Sequence, residues 1–194
     1  MDFIRNIKWS SLIMEKGSVV FAILVALWVN QFQQDYENKN KAKEQQKRIL
    51  EEVGQNLRVL EPHFARNDNL LISARKLIEE KKNREQDPGP QYVTLGYSFG
   101  SLESTEWEVA KLTGVIIYME SDDISILSNI YLDQALYSDH WSSLTKKFAL
   151  GSLDINSTKE TNEYLGVIQF TNSVSTRLID GYKRYLELHT VEID

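Results

Sequence analysis

The most apolar stretch of the chain runs from Gly17 to Val29 without a charge, and Asn30, Gln31, Gln33 and Gln34 end it abruptly. A helix crossing a bilayer normally needs about 20 largely apolar residues, with about 17 as the lower limit. Taken to Phe32, the run offers only sixteen positions. Its flanks lengthen it: Lys16 can snorkel its ammonium to the interface, and Trp28 and Phe32 stand where aromatic anchors are favoured. The pattern predicts one uncleaved transmembrane helix over 17–32. Two other readings compete. A cleaved signal peptide would take Lys8 and Lys16 as its basic region, but no small-x-small cleavage site follows. A buried core helix of a soluble domain needs no flanking charges at all.

Ahead of this run, residues 1–16 alternate apolar and basic positions, as suits an interfacial amphipathic helix. Behind it, residues 33–48 are rich in Glu, Gln and Lys, good helix formers, and read as a stalk. Ile49, Val53, Leu57, Leu60 and Phe64 then step by four, four, three and four, the spacing of one buried helical stripe. Pro62 is expected to kink or end this helix. Asn67 or Asp68 would restart it, with Leu70, Leu71, Ala74, Leu77 and Ile78 as the apolar face. Residues 83–101, with Pro88, Gly89, Pro90, Gly96 and Gly100, read as the one long loop, its aromatics Tyr92, Tyr97 and Phe99 packing back on the helices.

Thr105 and Glu108 have capping-box spacing ahead of Val109, Ala110 and Leu112, and Gly114 is the expected stop. Val115 to Met119 is β-branched enough for a strand. With no second strand candidate of comparable strength, it is read as helix or turn. Ser121, Asp122 and Asp123 open a further helix with Ile124, Leu127, Tyr131, Gln134 and Trp141 near one face. A second capping box, Ser157 and Glu160, precedes a last helix carrying Leu165, Ile168, Asn172, Ser175, Leu178, Ile179, Tyr182, Tyr185 and Leu186. The predicted class is all-α: a single N-terminal transmembrane helix continuing into a stalk and an antiparallel helical bundle, with 33–194 outside the membrane.

Composition narrows the function classes. Apolar residues make up 42% and charged residues 26% of 194, which fits neither a disordered chain nor a multi-pass membrane protein. Cysteine is absent, so disulfides, thiolate metal sites and cysteine nucleophiles are all excluded. The net charge of −6 disfavours a nucleic-acid binder. That charge is uneven: residues 1–48 hold eight Lys/Arg against five Asp/Glu, and the remainder is acidic. Positive charge on both flanks of the apolar run leaves orientation near a draw. The basic tail tips the reading towards an N-terminus inside and a bundle outside.

Candidate chemistry is sparse. No Gly-x-Ser-x-Gly elbow, phosphate loop or dinucleotide fingerprint occurs. His63, His140 and His189 have no metal-ligand spacing and read as ordinary surface or cap residues. Glu103, Glu106 and Glu108 around Trp107, and Glu120, Asp122 and Asp123, read as acids at helix starts. The aromatics Tyr118, Tyr131, Tyr137, Trp141, Tyr164, Tyr182 and Tyr185 suit core packing, with a ligand pocket as the sharper alternative. No catalytic residue, cofactor or metal is expected.

Several segments together resemble a family of small bacterial single-pass membrane proteins of uncharacterised function. These are the span ending Ala26-Leu-Trp-Val-Asn30, the long helix after it, and Trp107, Ala110 and Gly114 in a Trp-x-x-Ala-x-x-x-Gly segment followed by Tyr131. The resemblance covers roughly residues 3–140 and implies a bacterial inner-membrane location, without an activity to transfer. The expected role is a non-enzymatic membrane-anchored interaction or scaffold module working through protein contacts. It would be a homo-oligomer or part of a larger membrane complex, with Lys16, Trp28, Asn30 and Phe32 at the membrane boundary. Trp107, Ala110, Gly114 and Tyr131 are expected to be structural. The alternative is an extracytoplasmic helical sensor of a small ligand, and an enzyme using Glu103–Glu108 ranks last.

Overall fold

One helix organises the molecule. In a computed structural model that describes the backbone of residues 3–82, 92–93, 97–148, 153–154 and 158–190, α1 runs unbroken from Phe3 to Lys82. At about 1.5 Å per residue, its 80 residues extend for about 120 Å. The later elements are β1 (Tyr92–Val93), α2 (Thr105–Thr113), a 3-10 turn (Val115–Tyr118), α3 (Ser121–Phe148), β2 (Leu153–Asp154) and α4 (Thr158–Thr190). The class is all-α. The one departure is a two-residue antiparallel ladder, Tyr92 opposite Asp154 and Val93 opposite Leu153, which joins the α1–α2 and α3–α4 connections. Pro88, Gly89, Pro90, Gly96 and the Ser157 cap lie outside the described residues, as do the side chains of the tail up to Glu15.

The helix neither ends at Pro62 nor restarts at Asn67 or Asp68, since Pro62 sits inside it. Proline costs a helix the hydrogen bond to the carbonyl four residues earlier. Here Pro62 and Arg58 are both exposed, so that carbonyl lies on the solvent side. Asn67 restarts nothing either, because its amide is buried and committed to another segment.

The paired residues set the helix directions. Gln46 and His189 share Asp123 at one end, Lys183 meets Glu61 further along, and Leu71 packs with Tyr164 and Ile168 at the other end, so α4 runs antiparallel to α1. Asp133–Arg177 and His140–Phe170 give the same sense between α3 and α4. Glu52–Tyr131 and Asn56–Gln134 make α3 parallel to α1. Between them lie Ile49, Val53, Leu60, Leu127, Ile130, Val174, Leu178 and Ile179. Gly181 allows α4 close to α3, since a Cβ there would meet Ile130 at 3.1 Å.

Turn chemistry explains the short elements. The chain reverses after α2 because Gly114 takes φ 72°, the left-handed conformation that closes many helices. The expected capping box does not form: α2 begins at Thr105 behind Ser104 without a side-chain cap, and Glu108 is instead drawn to Lys111 at 2.7 Å. Val115 to Tyr118, the segment with strand-like composition, coils into the 3-10 turn and packs against α1.

Candidate functional site

The buried face of α1 repeats every eleven residues. Ile49, Leu60 and Leu71 form its apolar row, and Gln45, Asn56 and Asn67 form a buried amide row beside it. Eleven residues make three turns of 3.67, so both rows stay on one face of the helix. The sequence carries this period openly, but the hydrophobic stripe alone does not reveal it, since amides are ordinarily assigned to the solvent side.

Those amides hold the non-helical strap over residues 97–104 and the start of α2. Asn67 accepts the Ser98 N–H at 2.9 Å and donates to the Ser98 carbonyl at 2.7 Å. Asn56 does the same for Glu103, at 2.8 and 2.7 Å. Gln45 donates to the Glu106 carbonyl at 2.7 Å and to the Glu106 carboxylate at 2.9 Å. The two bidentate grips are spaced to match: eleven helical residues and five of extended chain each span about 16–17 Å. Side chains of α1 thus do for this strap what a neighbouring strand does in a sheet. Gly100 lets the strap lie close, because a Cβ would come within 2.5 Å of Val59 and 2.7 Å of His63.

Between Gln45 and Asn56 sits a buried carboxylate. Glu52 accepts the Glu106 N–H at 2.9 Å with one oxygen and the Tyr131 hydroxyl with the other. Burial, followed by the hydrogen bond and the charge of Glu52, pushes the Tyr131 phenol well above its usual range. Gln134 continues the network, donating to the Glu103 carbonyl at 2.7 Å and accepting from Tyr182 at 2.8 Å. Burial raises Tyr182 likewise, and raises Tyr137 and Tyr164 to about 12. These hydroxyls stay protonated at neutral pH, and those of Tyr131 and Tyr182 donate to Glu52 and Gln134.

The residues expected to matter divide sharply. Lys16, Trp28, Asn30 and Phe32 all lie on the exposed part of α1, with Trp28 and Phe32 stacked at 6.1 Å. Trp107, Ala110 and Tyr131 are buried. Trp107 lies flat on Tyr131, ring centroids 5.3 Å apart, with the Lys111 ammonium 5.9 Å from its own centroid. Gly114 closes α2. A cleft of about 620 Å³ opens beside them between α2 and α3, lined by Trp107, Lys111, Ser128 and Asp139 among others.

The acids are split up. Glu103 is held by its backbone, Glu106 by Gln45 and Glu108 by Lys111. Asp123 is buried and bridges Gln46 to His189. Each of the three histidines is partly covered. His63 meets the Ser98 hydroxyl, and its pKa is lowered by burial and by nearby Arg66. His140 packs on Phe170, and His189 closes α4 against Asp123. Among the described residues no three of the His, Asp or Glu side chains converge as metal ligands.

The remaining feature is the exposed part of α1. From Lys16 to Gln34 every side chain is exposed, apolar ones included, and Trp28 is 69% exposed. This is the one helix among the described residues long and apolar enough to cross a membrane, judged by length and composition. Comparison with protein-family models, curated proteins and solved structures returns no match. The functional reading therefore rests on the residues themselves.

Proposed function

We propose that this chain is a single-pass, membrane-anchored helical module of the bacterial inner membrane that acts without catalysis, through protein contacts. The observation that carries the reading is the continuity of α1: an apolar segment that nothing among the described residues covers passes without a break into a helix gripped along its buried face. A core helix of a soluble domain would be buried by its own chain, and this one is bare. Burying the large side chains of 19–32 in hydrocarbon gains about 25 cal/mol per Å² of apolar surface, which makes the bilayer the natural cover. The family resemblance of the span ending at Asn30 and of the Trp107–Gly114 segment supports the same assignment.

The contact surface we propose is the exposed ridge Trp28, Phe32 and Tyr36, spaced four apart on one side of α1 and continuing into the stalk. Two copies meeting there would bury aromatic surface at the membrane boundary, with Asn30 beside it as a polar residue able to set register. We place the bundle on the periplasmic side. Bis-maleimide crosslinking of a Tyr36→Cys variant in native membranes tests the contact, because the chain has no other cysteine. A crosslinked dimer or a captured partner is expected. A protein that stays monomeric in membranes and mild detergent, with no crosslinked species, would refute it.

The second reading, an extracytoplasmic ligand sensor, draws on the α2–α3 cleft with its aromatic floor and Lys111 and Asp139 at its walls. A thermal-shift screen of metabolites separates the two: a ligand-dependent rise in melting temperature that Lys111→Ala abolishes would favour sensing.

A further inference from the structure

Of all the large apolar side chains described, the two most exposed lie outside the apolar run of α1. They are Leu112 at 84%, in the last turn of α2, and Ile117 at 73%, in the 3-10 segment, on either side of Gly114. Their neighbours Val115, Ile116 and Tyr118 pack inward on the core, so the turn is firmly seated while these two side chains point away from it. Two such residues on one tight turn form a small apolar tip.

The tip has a fixed height above the span. Asn38 donates to the Tyr118 hydroxyl at 3.0 Å, which ties the turn to α1 six residues beyond Phe32. Six helical residues rise about 9 Å, and the polar interface of a bilayer is about 5–8 Å thick on each side. The span is also short: from Gly17 to Phe32 it covers about 24 Å of a hydrocarbon core of about 30 Å, and such mismatch draws the flanks inward. Shared between the two faces, a mismatch of about 6 Å draws this level about 3 Å inward, from about 9 Å to about 6 Å beyond the hydrocarbon, which sets the turn within the headgroup region.

We infer that the Leu112/Ile117 tip is a second membrane contact, dipping into the same leaflet that α1 leaves and holding the bundle at a set angle on the bilayer. This rests on α1 spanning the membrane. The charges around the tip are mixed: Lys39, Lys43 and Lys111 stand against Glu120 and Asp122, while Asp123 is turned inward to Gln46 and His189. The contact therefore depends on apolar burial, not on anionic lipid, and is the same on zwitterionic and mixed bilayers.

The full chain in lipid nanodiscs tests this. Leu112→Cys, Ile117→Cys, Leu24→Cys and Ile72→Cys each give a unique site for an environment-sensitive dye, and all four positions are exposed, so labelling leaves the core intact. The expected result is blue-shifted emission quenched by doxyl lipids at 24, 112 and 117, and water-like emission quenched by iodide at 72. Water-like emission at 112 and 117 with lipid quenching retained at 24 would overturn the tip and leave the span standing. Water-like emission at 24 would overturn the span reading, and the tip with it. Labels at 112 and 117 shielded from both quenchers would mean that protein covers the tip, and would overturn the lipid assignment.

Discussion

The two parts of α1 invert the usual relation between polarity and burial. From Gly17 to Val29 the helix is almost wholly apolar and wholly exposed, whereas from Ala42 to Ala74 its buried face alternates aliphatic residues with Gln45, Glu52, Asn56 and Asn67. Both segments are helical, so what separates them is the partner. Buried polar groups are ordinarily met by partners, and here the 97–104 strap holds Asn56 and Asn67 while Glu106 and Tyr131 hold Gln45 and Glu52. Exposed leucines and valines are tolerable singly, but a sleeve of them calls for hydrocarbon or another apolar surface. A helix can thus be read by what its surface asks for, and here the two parts ask for different solvents.

The comparison is broken most forcefully by charging the apolar part. Ile23→Lys with Leu27→Lys places two cations near the centre of the span, each costing about 2.5–3.5 kcal/mol there. The double variant should leave the membrane fraction on carbonate washing, while its thermal melt, set by the bundle, stays where it was. A parallel loss of bundle stability would show that the two parts are not independent.

On the other side, Asn56→Ala removes both hydrogen bonds to Glu103 and leaves its N–H without a partner, while Gln134 still holds the carbonyl. Unfolding in urea should reveal a loss of about 1–3 kcal/mol. An effect near zero would mean that the strap is not held by the amide row. Asn172 supplies the opposite case on α4: it is buried, yet neither its amide nitrogen nor its oxygen has a partner among the described residues. Asn172→Leu should therefore raise stability by about 1 kcal/mol, since removing an unmet polar group relieves its desolvation.

The smallest effect concerns pH. The fold lowers the pKa of His63 below its ordinary value of 6.5, so the unfolded chain takes up this proton more readily. Stability from this group is complete above that value and declines as pH falls through it towards the lowered one. Melting temperatures between about pH 5 and 8 should fall on the acid side less steeply in His63→Gln than in the native chain. Identical slopes would remove His63 from the account.

Much of this was legible in the chain, and the misses share a cause. The stripe from Ile49 to Phe64, the stop at Gly114 and the non-strand character of Val115 to Tyr118 follow from local periodicity and turn chemistry. Pro62 misleads because its cost depends on whether Arg58's carbonyl reaches water, which only the tertiary structure decides. Thr105 and Glu108 have the spacing of a cap, but Lys111 claims the glutamate. Asn67 reads locally as a helix start, whereas its role is to bind a strap 31 residues away. Gln45, Asn56 and Asn67 carry a signal in their spacing, yet its meaning appears only with the extended strap beside it.

A spin-label scan of single cysteines along α1 from residue 18 to residue 66, with the full chain in nanodiscs, tests the central claim directly. The account predicts oxygen-accessible, lipid-facing labels over 19–32 and a change to water-soluble reagents over 33–37. Beyond that, protection should recur at 45, 49, 52, 56, 60 and 63. Labels over 19–32 that meet water, or that are shielded by protein on every face, would contradict it.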